Sequence, residues 1–274
     1  MAVTMADIAH LRKMSGAGMM DCKNALQEAD NDFEKAMEII RKKGQAVAAK
    51  RSDREASEGC VLAADNGDFA AVVALKCETD FVAKNADFIA LVKSFLDVAM
   101  DKKPANLAEL LALPLSDGRS IENHITDRIG ITGEKMELGY YEFVKGTAVV
   151  SYIHPGNKLA TVVAFNQGLD RQVARDIAMQ VAAMNPVSIT PEEVSQKVID
   201  LEVEVAKDKA RQAGKPENML DRIAQGALQK FYKENTLLQQ DFIKEQKINV
   251  LQYLQQQDKA LTTTSFKRVT LNLE

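Results

Sequence analysis

The chain has 274 residues, 46% hydrophobic and 27% charged, which is enough apolar material for a sizeable core in roughly one to three domains. A net charge of −4 and a pI near 5.6 exclude a phosphate-neutralising basic face, so no direct nucleic-acid partner is expected. No apolar run nears the roughly 20 residues that cross a bilayer, and Met1-Ala2-Val3-Thr4 opens no signal peptide, so a cytoplasmic protein without a membrane partner is expected.

Residues 1–54 read as a compact helical module. The first helix has Ile8 and Leu11 on its apolar face and breaks at Ser15-Gly16-Ala17-Gly18. The second carries Met19, Cys22, Leu26 and Ala29 on one stripe. The third is expected to start at Asn31 with Glu34 as capping-box partner, to bury Phe33, Met37 and Ile40, and to end at Gly44. Residues 45–54 then read as a charged, Ala-rich connector. Met20 falls off the core stripe, beside Lys23, Asn24 and Gln27. It is either a stray exposed methionine or adaptable contact material with Arg12 as its neighbour across the turn.

Strand-like alternation over 57–77 on both sides of Asp65-Asn66-Gly67-Asp68 is a strong hairpin signal. With Asn66-Gly67 as a two-residue turn, Cys60 would face Val73. Cys77 would then lie roughly 13 Å further along at ~3.3 Å per residue, beyond disulfide reach. Cys22, Cys60 and Cys77 contain no CxxC pair, and His10, His124 and His154 are scattered, so no metal site or cofactor is expected. Residues 81–100 are expected to form one helix burying Val82, Phe88, Ile89, Val92, Phe95, Leu96 and Ala99. Thr79 and Asp80 are the residue types that cap such a helix, and Phe81 would lie on the edge of its apolar face at the exposed start. Short helices over 104–114 and 121–129 follow.

Residues 136–144 and 147–153 read as strands of a second sheet, with 159–165 as the return strand. His154-Pro155-Gly156-Asn157 between them suits a loop looser than a two-residue turn. His154 suits a turn residue and also a contact to something outside the chain. Asp170 starts a helix that ends near Met184-Asn185-Pro186. Thr190-Pro191-Glu192-Glu193 opens a long helix with Val194, Val198, Leu201 and Val205 as a coiled-coil seam. Beyond Gln212-Ala213-Gly214-Lys215-Pro216, a helix carrying Leu220, Ile223, Ala227 and Phe231 completes an antiparallel hairpin. The tail returns through Phe242-Ile243, a helix over 249–257 and a closing strand in which Val269, Leu271 and Leu273 alternate.

The chain also contains a duplication. Residues 68–80 (DFAAVVALKCETD) lie over 158–170 (KLATVVAFNQGLD) at a constant offset of ninety. In each copy a strand runs into an aspartate and then a helix, so capping explains both Asp80 and Asp170. The next residue is Phe81 in one copy and Arg171 in the other. The shared architecture therefore does not require an aromatic there, which points to a separate use for Phe81.

Thr79-Asp80-Phe81-Val82-Ala83-Lys84-Asn85, with Leu11-Arg12 and Gly16-Ala17-Gly18-Met19-Met20-Asp21-Cys22-Lys23 upstream, resembles bacterial translation elongation factor Ts. That family comprises guanine-nucleotide exchange factors for elongation factor Tu. The resemblance covers essentially the whole chain, most weakly over 100–135 and 245–274. It implies an α+β fold with a three-helix ubiquitin-associated-like module over 1–54. Two related antiparallel-sheet/helix subdomains would follow, over 55–139 and 140–274. The second would include an inserted antiparallel helical hairpin, a coiled coil, over 187–233 and a C-terminal module over 234–274.

By the same resemblance, Thr79, Asp80, Phe81 and Val82 displace the partner's Mg²⁺. Arg12, Met19 and Met20 touch its G domain, although the helical stripe would bury Met19. His154, closing Ser151-Tyr152-Ile153-His154, touches its third domain, and Pro155 departs from the small residue usual there. The implied partner is elongation factor Tu, GDP-bound and nucleotide-free, and the hairpin can support a homodimer. Whether Asp80 acts by its charge or by placing the Phe81 backbone stays open. A hydrolase built on Cys77, Glu78 and Asp80 would lack an oriented base, a nucleophile elbow and a phosphate-cradling loop. An RNA-binding adaptor is disfavoured by the acidic charge.

Overall fold

The computed structural model describes residues 2–272. Helix α1 (Met5–Ser15) begins with a reciprocal cap between Thr4 and Asp7 and ends at Gly16, whose φ of 71° suits a residue without Cβ. Helix α2 (Met19–Glu28) packs Cys22, Ala25 and Leu26 against Ile8 and Leu11. Its buried stripe starts at Cys22, so Met19 stands exposed in the first turn. Helix α3 (Phe33–Arg51) is capped not by Asn31 but by Asp32, whose carboxylate accepts from the Glu34 and Lys35 amides. It runs through Gly44 and most of the expected connector.

Strands β1 (Glu58–Asp65) and β2 (Phe69–Cys77) pair antiparallel with Asp65 opposite Ala70, so the turn takes in 66–68 rather than Asn66-Gly67 alone. Cys60 therefore faces Leu75 instead of Val73. A shift of two residues preserves the side of the sheet, and Cys60 and Cys77 lie in one core cluster, both free. The expected single helix over 81–100 is broken in two, α4 (Asp80–Ala83) and α5 (Ala86–Lys102). The break occurs because Asn85 leaves helical geometry to cap α5, accepting from the Asp87 and Phe88 amides.

Helices α6 (Leu107–Ala112) and α7 (Ile121–Thr132) lead to β3 (Met136–Lys145). This strand joins the first sheet, in order β1-β2-β3, and not the second. The chain leaving α7 returns along the edge of β2 left free by β1. Gly44 in α3 meets Gly130 in α7, where the missing side chains let the two backbones approach.

Strands β4 (Ala148–Ile153) and β5 (Leu159–Phe165) are joined by the loose loop expected at His154, and α8 (Arg171–Met184) follows, capped by Asp170. Pro191–Glu193 is only a 3-10 turn, and the long helix α9 (Gln196–Gln212) starts after Ser195. It pairs with α10 (Glu217–Asn235) through buried Ala210, Leu220, Ala224 and Leu228, while Leu201 and Val205 of the expected seam stand exposed. Alanine spacers bring the helices together, a signal that large apolar residues at coiled-coil spacing do not carry.

The chain closes with β6 (Asp241–Phe242), β7 (Glu245–Asn249), α11 (Val250–Gln255) and β8 (Thr263–Thr270), which completes the second sheet in order β4-β5-β8. Val269 is buried as expected; Leu273 lies outside the described residues.

The two sheets face each other across a thin layer of small side chains. Val61, Ala70, Val72 and Ala74 of the first meet Val149, Ala160, Val162 and Ala164 of the second. Helices α5 to α7 cover the outer face of the first sheet, and α8 with the tail covers that of the second. The duplicated strands β2 and β5 are the middle strands of their sheets. Burial on both faces explains why they read as near-continuous apolar runs.

Candidate functional site

The turn from β2 into α5 holds Thr79, Asp80, Phe81 and Val82. Thr79 is the cap of α4, its Oγ1 accepting from the Val82 amide at 3.4 Å. Asp80 is the first helical residue, and its carboxylate accepts from Lys84 Nζ at 2.6 Å. Asp170, its counterpart in the duplication, is a true cap, accepting from the Gln172 and Val173 amides. Capping therefore accounts for Asp170 and not for Asp80. The Lys84 hydrogen bond holds the Asp80 carboxyl below its ordinary range, with help from the Phe81 amide and the charge of Lys158. At neutral pH Asp80 is a carboxylate.

Phe81 is 85% exposed. Burying such a ring contributes about 1.5–3 kcal/mol, so a fold that leaves it in water forgoes that stabilisation. The backbone beneath it is tied down. The Thr79 amide donates to Glu134 Oε2 at 3.1 Å and its hydroxyl to Glu134 Oε1 at 2.5 Å. The Cys77 thiol donates to the Thr79 carbonyl at 3.2 Å. Glu78 accepts from the Lys135 amide at 2.7 Å and from Arg51, at the end of α3, at 3.5 Å. Lys135 Nζ reaches back to the Ser52 carbonyl at 2.9 Å. Val82 packs half-buried against the first core.

The other expected contact residues lie elsewhere on the surface. Arg12 is exposed in the last turn of α1, and Met19 and Met20 are exposed at the start of α2, 40% and 64%. These three belong to the helical module, which meets the Phe81 turn through the Arg51–Glu78 pair. His154 is exposed at the end of β4, its Nδ1 3.0 Å from the Tyr152 hydroxyl. Its loop runs along β1: the Asn157 carbonyl accepts from the Val61 amide at 2.7 Å, and Lys158 pairs with Glu58 at 2.7 Å.

Sequence reasoning missed Glu134, Lys135 and Arg51. They support the Phe81 turn from distant parts of the chain, and no local pattern marks such contacts.

The thiol beside this turn is unreactive. Cys77 is buried, and burial, with the nearby Glu134 and Glu58 charges, pushes its thiol up to about 12. It is a protonated thiol and no nucleophile at neutral pH. Among the described residues no group of three or more His, Cys, Asp or Glu is placed to hold a metal ion, and no helix is long and apolar enough to cross a membrane.

The α+β scaffold thus presents one exposed aromatic on a braced turn, flanked by a carboxylate. Residues 78–272 match the family model described as elongation factor TS. Aligned across the whole of both chains, the protein is 71% identical to elongation factor Ts of Porphyromonas gingivalis and 53% identical to that of Azobacteroides pseudotrichonymphae. It is 47% identical to elongation factor Ts of Christiangramia forsetii over 98% of each chain. The chain belongs to the elongation factor Ts family, and its role is in translation elongation.

Proposed function

We propose that the chain is a guanine-nucleotide exchange factor for elongation factor Tu: it binds the GDP-bound GTPase, disturbs the Mg²⁺ and phosphate site, and releases GDP so that GTP can enter. The exposed ring of Phe81 on its braced turn is the observation that carries this reading. A GTPase holds GDP through backbone donors, a lysine and Mg²⁺. A factor expels the nucleotide without touching it by binding the empty conformation more tightly, and linkage makes the antagonism mutual. Weakening GDP about 10⁴-fold requires ~5.5 kcal/mol of differential binding.

Phe81 supplies part of this by inserting between elements of the G domain, where burial of the ring is worth roughly 3 kcal/mol. Val82 and Thr79 carry the turn. Asp80, ionised beside the ring, adds a negative charge close to the Mg²⁺ ligands. The remainder of the grip falls to Arg12, Met19 and Met20 on the helical module and to His154 on the second sheet.

The working parts are then the helical module over 1–54, the two sheet subdomains expected over 55–139 and 140–274, the α9–α10 hairpin and the C-terminal module. The expected boundary at 139/140 falls inside β3, which belongs to the first sheet, so the division is moved to Gly146. A homodimer through the hairpin belongs to the same reading, since Leu201 and Val205 leave apolar surface open on α9. The reading puts the protein in the cytoplasm, with its partner. Mixing it with the organism's elongation factor Tu–GDP and resolving the products by gel filtration tests the proposal. A complex free of nucleotide supports it, and a complex that retains stoichiometric GDP, or none at all, overturns it.

A further inference from the structure

We infer that Glu134 is a positioning residue for the Phe81 turn, fixing the ring's direction without touching the partner; the inference rests on the exchange reading above. Helix α4 covers only Asp80–Ala83, and a single turn does not hold itself together in water. Because Phe81 is 85% exposed, its own core does not orient it. The ring points where the backbone on either side directs it.

That backbone is held by a relay. The carboxylate of Glu134 accepts from both the amide and the hydroxyl of Thr79, at 3.1 and 2.5 Å. The same hydroxyl accepts from the Val82 amide at 3.4 Å. The relay thus clasps the chain before and after Phe81. Two short hydrogen bonds into one carboxyl group, from an amide and a hydroxyl, fix its donors closely. Glu134 is in turn anchored: it follows Gly133, which ends α7 at φ 73°, its amide donates to Thr132 Oγ1 at 3.3 Å, and the next amide, of Lys135, is held by Glu78.

The duplication shows that the fold does not need this clasp. At the offset of ninety, Thr79 and Phe81 correspond to Leu169 and Arg171. In the second copy Asp170 caps α8 directly, and Leu169 has no hydroxyl for a carboxylate to hold. The clasped threonine and the exposed aromatic occur together in one copy and are replaced together in the other. Stabilising the strand-to-helix junction is therefore not sufficient reason for Glu134.

The test uses the full-length chain with elongation factor Tu carrying fluorescent GDP, and reads the maximal release rate and the half-saturating concentration separately. Glutamine offers one acceptor oxygen for two donors. Glu134→Gln is therefore expected to lower the maximal rate about tenfold while half-saturation stays within about twofold, as loss of a transition-specific contact predicts. Thr79→Val should behave alike and Thr79→Ser should restore the rate, so the clasp is also read by a pair that leaves Glu134 intact.

In a Phe81→Ala background, Glu134→Gln should add no further loss, because its effect passes through the ring. A full rate for folded Glu134→Gln with a slow Phe81→Ala sinks this inference alone. A further tenfold loss on top of Phe81→Ala likewise overturns it. An unaltered rate for Phe81→Ala removes the ring from the exchange step and this inference with it, whereas the exchange reading itself falls only if the parent chain releases no GDP.

Discussion

Gly130 in α7 lies so close to Gly44 in α3 that a Cβ on Gly130 would fall 2.5 Å from the Gly44 Cα. The helical module is joined to the first sheet subdomain at this crossing, one end of which leads through Arg51 to the Phe81 turn.

The crossing is asymmetric, and so is the expected response to substitution. A Cβ on Gly44 would meet the Thr126 carbonyl at 3.4 Å, the Gly130 Cα at 3.5 Å and the Gly130 N at 3.9 Å, ordinary contacts. Gly44→Ala should therefore be neutral or stabilise the protein by up to about 1 kcal/mol through helix propensity. Gly130→Ala drives a methyl into backbone and should cost about 1–3 kcal/mol. Thermal unfolding followed by circular dichroism compares the two, and equal melting temperatures would mean that α3 and α7 do not pack this closely.

The remote contact residues should affect affinity rather than rate. Arg12, Met20 and His154 are exposed on the helical module and at the end of β4, on elements other than the Phe81 turn. They would hold the partner before and after GDP leaves, which is uniform binding. Arg12→Ala, Met20→Ala and His154→Ala are each expected to raise the half-saturating concentration about threefold to tenfold and leave the maximal rate unchanged. A titration of release rate against factor concentration separates the two parameters, and a lowered plateau would move the residue into the displacement step itself.

The hairpin is expected to be dispensable for exchange. Its two ends lie side by side: the Val187 amide donates to the Asn235 carbonyl at 2.9 Å, and the Leu237 amide to the Ser188 carbonyl at 2.9 Å. Replacing residues 191–233 with a short Gly-Ser link should therefore leave both sheets folded. The maximal rate should stay within roughly threefold, as for sites that share no contacts. Complete loss of exchange from a variant with an intact circular-dichroism spectrum would make α9 and α10 part of the working surface.

Asp176 is expected to make the second subdomain acid-sensitive. It is buried in α8 and accepts from Lys244 at 2.7 Å, Gln172 at 2.7 Å and Tyr253 at 2.9 Å. Burial pushes its carboxyl up, but the bonds from Lys244, Tyr253 and Gln172 outweigh burial and leave it below the usual value. A carboxyl whose folded pKa lies below the unfolded ~3.9 contributes stability in full above that pH and loses it as pH falls through the folded value. Asp176→Asn should cost about 2 kcal/mol at pH 7, a moderate figure because Lys244 is partly exposed. In a protein of this size that corresponds to a drop of about 4–8 °C in Tm. The gap from the parent protein should narrow below about pH 4, and a gap that widens there would reverse the sign assigned to Asp176.

What the sequence revealed and what it hid follow from range. The middle strands β2 and β5 and the apolar face of α5 were legible because period and apolar runs are local, and the duplication aligned the two sheets. Phe81 stood out because its duplicated position holds Arg171. Errors came where tertiary contact overrode local preference. Gly44 reads as a helix end until Gly130 is seen beside it, and Met136–Lys145 reads as part of a new sheet until it is seen paired with β2. Asn85 broke a helix that periodicity would carry through. The Glu134 clasp on Thr79 spans 55 positions and leaves no local mark.

The central claim is that the Phe81 ring drives GDP out of the partner, and stopped-flow release of fluorescent GDP from elongation factor Tu tests it most directly. With saturating factor, Phe81→Ala is expected to slow release by roughly tenfold to a hundredfold while affinity for the nucleotide-free partner falls far less, since the remote contacts persist. Release at the parent rate from a folded Phe81→Ala protein would contradict the account.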